Sequence, residues 1–137
     1  MSIDVKRVIT AIGPEGAATF KAAGPAPHVT KLPTGLVLTE LFRLDRIPKT
    51  CGEGREIPFD GVCGPPGSIL YRLCELPPDQ EVFRRLPEIA AQGGSGEVFS
   101  LDEATYGMHD SPTIDFVTVV KGQCDLRLAD GSEQHLC

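Results

Sequence analysis

GMHDSPTIDFVTVVKG, residues 107–122, is the stretch on which the reading of this chain turns. It brings in a histidine, crosses Pro112 and then alternates through Ile114–Lys121 with one acid, Asp115. Alternation of this kind predicts a β-strand over Ile114–Lys121. Strand side chains change faces at every residue, so Val119, Val117, Asp115, Ser111 and His109 share one face. A bulge at Pro112 would shift the count upstream of it. Val117 and Val119 are expected to face the core. His109 and Asp115 then line the inside as well, where an unpaired charge is costly. They need each other, a metal, or a ligand.

Three readings follow from that need. In the first, His109 and Asp115 form a hydrogen bond that orders the entry to the strand. In the second, they are ligands of a divalent metal. In the third, they are an acid/base pair without metal. His109 then moves the proton, since its pKa lies near neutrality, and Asp115 orients the ring and fixes its tautomer.

Downstream, Cys124–Leu128 and Glu133–His135 read as a hairpin joined by ADGS at 129–132. Asp130 and Gly131 both tolerate positive φ, which suits a two-residue turn. Lys121–Gln123 is a second tight turn. Upstream, strands are expected at Val5–Thr10, Ala18–Ala22, Leu36–Arg43 and Ile69–Leu76. The 15 Gly and 12 Pro leave only short runs between them, as all-β chains do. The aperiodic, Gly- and Pro-rich Thr50–Gly67 reads as loop. The GPEG at 13–16 and the GPPG at 64–67 are turns, since neither opens a helix with a lysine as a phosphate loop does. One helix is expected after Pro78, with Asp79 as N-cap and Val82, Phe83, Leu86, Ile89 and Ala90 at helical spacing. Pro87 should kink or end it. Gly93–Gly96 reads as a flexible joint.

Other charged residues offer alternatives. Arg72 shares parity with Leu70, Cys74 and Leu76, and Glu75 with Ile69, Tyr71 and Leu73, so either face of that strand carries a charge. An inward Arg72 could clamp a carboxylate or enolate; an outer-face Arg72 is the simpler expectation. Glu40 and Arg43 raise the same question, and solvated positions are expected for both. His28 falls in a Pro-rich stretch and is expected to be exposed. His135 and Cys137 form a His-x-Cys pair, too few ligands for a site alone. The five cysteines are irregularly spaced, without a CxxC, and read as reduced thiols, with Cys74 and Cys124 acting as small core residues.

At 137 residues one domain is the default. A net charge of −6, without a Lys/Arg cluster longer than a pair, argues against nucleic acid as a partner. No apolar run reaches membrane-spanning length, and residues 1–10 lack an apolar signal core, so a cytoplasmic protein is expected.

The stretch from Gly107 also resembles the first motif of the cupin superfamily of small β-barrels. His109 takes the place of that motif's first histidine, Asp115 that of its glutamate, and Gly122 its closing glycine. Ser111 stands where the second histidine belongs, and Gly107 lies out of register with the opening glycine. A subgroup of small single-domain cupins is similar at Met108-His109, Thr113, Asp115-Phe116, Val120, Gly122, Leu126, Leu128 and Asp130-Gly131. Leu70–Asp79 resembles that subgroup's preceding strand, and residues 5–29 its N-terminal hairpin. The segment 78–105 looks like an insertion.

The resemblance implies an all-β, cupin-like (jelly-roll) barrel over 1–137, with N-terminal strands in 1–50, a helical insertion in 77–105, and the motif and hairpin in 107–137. The second cupin motif is absent, which implies an incomplete barrel or one closed differently, with exposed β edges that favour a homodimer. By resemblance, the function is that of a small-molecule enzyme beside polyketide or aromatic metabolism. Proton transfer at His109 and Asp115 would act on an aromatic or enolisable substrate, with Ser111, Arg72, Val117 and Val119 contacting it. The cofactor is either none or a divalent metal (Zn, Fe, Mn or Ni) on His109 and Asp115, although the Ser111 hydroxyl is a poor ligand. The alternatives are a non-catalytic small-molecule-binding cupin and a truncated, inactive fragment.

Overall fold

The computed structural model describes residues 3–47, 55–57, 64–91, 100 and 102–137. The Gly93–Gly96 joint, Cys51, Cys63 and most of Thr50–Gly67 lie outside them. The chain divides into two compact units, Met1–Gly94 and Ser95–Cys137. The first holds β1 (Lys6–Ile12), β2 (Ala18–Pro25), β3 (His28–Lys31), β4 (Val37–Leu44), β5 (Ile69–Glu75) and α1 (Asp79–Ala91); the second holds β6 (Cys124–Arg127) and β7 (Glu133–Leu136). The described fold is β-rich with one short helix. Its strands form a β1-β2 pair, a β3-β4-β5 sheet and a β6-β7 pair, none closed into a barrel.

One turn recurs. At Gly13–Ala17, Leu32–Leu36 and Leu128–Ser132 the first residue of the segment bonds the fifth, and the fourth, a glycine, donates to the first. Each of these glycines (Gly16, Gly35, Gly131) has φ between 77° and 92°. This is a type I turn followed by a left-handed glycine, the common three-residue hairpin loop. The expectation of two positive-φ residues at Asp130-Gly131 is corrected: Gly131 alone is left-handed, and Asp130 is not. Its carboxylate instead accepts from Ser132 N (2.9 Å) and Ser132 Oγ (2.6 Å). The same turn at Leu32-Pro33-Thr34-Gly35 creates β3, a strand not expected from the sequence.

β4 is the centre of the first unit. Antiparallel neighbours cover both of its edges, and Leu36, Val37, Leu38, Thr39 and Glu40 are all buried. Val82 and Ile89 of α1, seven residues apart and so on one helical face, are the other buried hydrophobic residues among those described. α1 begins where the pattern placed it, but the cap is Pro78, whose carbonyl accepts from Glu81 N and Val82 N. Asp79 therefore lies in the first turn, where with Glu81 it faces the positive end of the helix dipole. The helix also continues through Pro87 to Ala91.

The second unit departs most from expectation. Ile114–Lys121 is not a strand: residues 114–120 join no ladder. Val117 is 69% exposed rather than facing a core, while Val119 is half-buried.

Candidate functional site

Glu40 sits in mid-β4, directly opposite His28 on β3 and Arg72 on β5. Residues directly opposite in a sheet share a face, so histidine, carboxylate and guanidinium form one row across three strands. Arg72 Nε and Nη2 both donate to Glu40 Oε1, at 2.8 and 2.6 Å, and the Glu40 side chain is 4% exposed. Glu40 Oε2 is buried and has no hydrogen-bond partner among the described residues. The solvated expectation for Glu40 and Arg43 is overturned, since each is only 3% exposed. The outer-face expectation for Arg72 gives way likewise to a largely buried ion pair. The physical reason is a bulge: the register shifts between Glu40 and Phe42, so that Arg43 pairs with Leu70 and Phe42 with Tyr71. A regular strand would put residues 40 and 43 on opposite faces; the extra residue brings them to the same one.

Arg7 reaches this region from β1. Its Nη1 donates to Leu41 O at 2.7 Å and pairs with Glu56. Glu56 is held by a bridge to Leu44, with Asp45 N bonded to Arg55 O and Ile57 N to Arg43 O. Arg7, Pro27, His28, Glu40, Phe42, Arg43, Glu56 and Ile57 line a small open cleft with room for little more than one water molecule. His28 is exposed, as expected, but on a strand. Cys74, one turn of the pleat beyond Arg72, is exposed as a residue rather than a core side chain. Partial burial of its thiol still raises the pKa, with Arg72 opposing the shift and Glu40 adding to it. Among the described residues, Cys74, Cys124 and Cys137 are free thiols.

His109 and Asp115 lie in the second unit, both exposed. His109 Nδ1 is 2.8 Å from Gly107 O. A carbonyl only accepts, so Nδ1 carries the proton and Nε2 is the basic nitrogen of the neutral ring. The bond that sets the tautomer thus comes from the backbone two residues upstream. Asp115 Oδ2 accepts from Thr113 Oγ1 at 3.1 Å, and Thr113 shares a 2.6 Å contact with Ser111 Oγ. Ser111, Thr113 and Asp115 form a chain of polar contacts at alternate positions. In the same unit, His135 Nδ1 lies 2.6 Å from Asp125 Oδ1, directly across the β6-β7 pair. The Ser132 hydroxyl, and then its amide, hold the Asp130 carboxyl below the usual range.

For a metal, the donor set is short. Among the described residues no three His, Cys, Asp or Glu side chains come together as ligands, and Ser111 adds only a hydroxyl. His109 and Asp115, the two ligands that the resemblance implied, are joined by no third such donor among the described residues. Among the described residues no helix is long and apolar enough to cross a membrane.

Comparison with known proteins returned no matching family model, no matching curated protein and no matching solved structure.

Proposed function

We propose that this chain is a cupin-like protein acting on a small enolisable or aromatic organic molecule by proton transfer, with His109 as the base. One observation supports the reading above the others: the 2.8 Å contact from His109 Nδ1 to Gly107 O, which leaves Nε2 with the lone pair a general base needs. His109 is an exposed residue, which puts it within reach of a molecule from solution. Asp115 and Ser111, linked through Thr113, supply an acceptor and a hydroxyl at alternate positions beyond it. The reaction balances within the substrate: Nε2 takes a proton from a carbon beside a carbonyl, and the imidazolium returns it to the enolate oxygen or to another carbon. No step is routed through a metal. On this reading the protein is cytoplasmic.

A second reading, binding without turnover, is favoured by the cleft on the three-stranded sheet. Arg7 and Arg43 there present guanidinium groups, which suit a small anion, beside Glu40 and Glu56. One experiment separates the two. The protein is incubated in deuterated water with a panel of enolisable ketones and phenolic polyketide fragments. Loss of the α-proton signals is followed by NMR, and the amides of residues 107–115 and 28–43 are followed in parallel. Proton transfer predicts exchange that His109→Ala lowers at least tenfold without moving the melting temperature. Shifts confined to residues 28–43, without exchange, would select the binding reading. Exchange unaffected by His109→Ala would remove His109 from the reaction.

A further inference from the structure

We propose that residues 114–122 pair with the same segment of a second copy of this chain, antiparallel and centred on Thr118. Three observations carry it. The first is the exposed apolar surface of the segment: Ile114 is 88% exposed, Phe116 96%, Val117 69% and Val120 71%. The second is the backbone. Among the described residues, 114–120 enter no ladder and make no backbone–backbone hydrogen bond. Seven consecutive residues of strand-forming sequence thus present N–H and C=O groups that have no backbone partner among the described residues, which is the template onto which another strand adds.

The third observation selects the partner. The segment reads Ile-Asp-Phe-Val-Thr-Val-Val-Lys-Gly from 114 to 122. Turned antiparallel upon itself about Thr118, it sets Asp115 opposite the partner's Lys121, and Lys121 opposite the partner's Asp115. Phe116 then meets the partner's Val120, Val117 the partner's Val119, and the two Thr118 residues meet on the two-fold axis. Opposite charges, aromatic against β-branched, and threonine against threonine are the cross-strand pairs that stabilise antiparallel sheets. Parallel pairing in register would stack Asp115 on the partner's Asp115 and Lys121 on the partner's Lys121, which repel. Among the described residues neither Asp115 nor Lys121 has an ion pair, and Asp115 Oδ2 accepts from the Thr113 hydroxyl. The ladder has natural ends. Pro112 has no N–H to donate, and Gly122, at φ 86°, leaves the strand conformation. A two-fold isologous contact of this kind closes after two copies.

The assembly also changes the site proposed above, because it brings the partner's Lys121 beside Asp115. The test nevertheless reads mass, not activity, so it stands or falls apart from the proton-transfer reading. Sedimentation equilibrium on the full chain over a hundredfold range of concentration should show a reversible monomer–dimer equilibrium. Thr118→Pro removes a central donor from a segment that makes no backbone bonds in the monomer, so circular dichroism should be unchanged while dimerisation weakens at least tenfold. Asp115→Lys and Lys121→Asp should each weaken it similarly. The double variant Asp115→Lys/Lys121→Asp should recover it to within about threefold. A wild-type monomer throughout overturns the proposal. So does a dimer indifferent to Thr118→Pro, which would place the contact on another edge. A double variant as weak as the single ones overturns the register.

Discussion

Glu40 concentrates the energetic argument at the scale of single residues. Its side chain is 4% exposed, and one of its oxygens accepts both donors of Arg72. Removing one member of a buried ion pair leaves the other desolvated and uncompensated, at a cost of about 3–5 kcal/mol. Arg72 is 14% exposed, so water relieves part of that cost. Glu40→Ala should therefore fall near the lower end of that range, about 3 kcal/mol, in urea unfolding monitored by circular dichroism. Pairing it with Arg72→Leu should give a double variant less destabilised than the sum of the singles, by about 1–3 kcal/mol, as groups in direct contact do. A loss within about 0.5 kcal/mol for Glu40→Ala would mean that the pair is a surface contact. The sequence shows Glu40, Arg43 and Arg72 but not their sharing of a face. Strict alternation is right for β5, whereas β4 gains one residue between Glu40 and Phe42. Bulges follow from tertiary strain and partner register, which the local pattern of VLTELFRL does not contain.

Among elements, α1 was the most legible, and the turns at 13–16 and 129–132 were legible in place though not in type. Val82 and Ile89 at a seven-residue spacing marked the helix and are its buried face. The Leu-x-x-Gly spacing that closes β3-β4 also closes β6-β7, so β3 could have been found from Leu32-Pro33-Thr34-Gly35. A four-residue strand, His28–Lys31, gives too few alternations to register by period alone. Pro87 lies inside α1 although it cannot donate to the carbonyl four residues before it. The helix persists because Ile89, beyond the proline, is 1% exposed, and its burial holds the last turn in place. The strain should then be recoverable. Pro87→Ala, at an exposed position, should stabilise the protein by about 1–3 kcal/mol, less than or equal to the full difference in helix propensity. The thermal melt should rise accordingly. An unchanged or lower melting temperature would show that the proline conformation is already matched to a distorted helix.

For the whole molecule, the apolar core is unevenly distributed. Every described hydrophobic residue that is buried (Leu36, Val37, Leu38, Val82 and Ile89) belongs to the unit Met1–Gly94. The described residues of the unit Ser95–Cys137 contribute none, and its apolar residues from Ile114 to Leu128 are mostly at the surface. Alternation correctly marked Ile114–Lys121 as a segment that prefers a pleated, half-covered setting, but a preference for β-structure needs a partner strand, and the described chain provides none. Local stability should follow the core. In native-state hydrogen exchange on dilute protein, amides of β4 should open only with global unfolding. Amides at 114–120 should exchange within about an order of magnitude of the unfolded-chain rate. β6 and β7 should lie between, because a two-stranded ribbon is marginal by itself. Raising the concentration should slow exchange at 114–120 selectively, if a second copy supplies the missing strand, and leave β4 unaltered. Strong protection of 114–120 at every concentration would mean that the segment already has a partner within its own chain. Equal protection in both units would mean that the small core in Leu36–Ile89 governs the whole molecule as one cooperative structure.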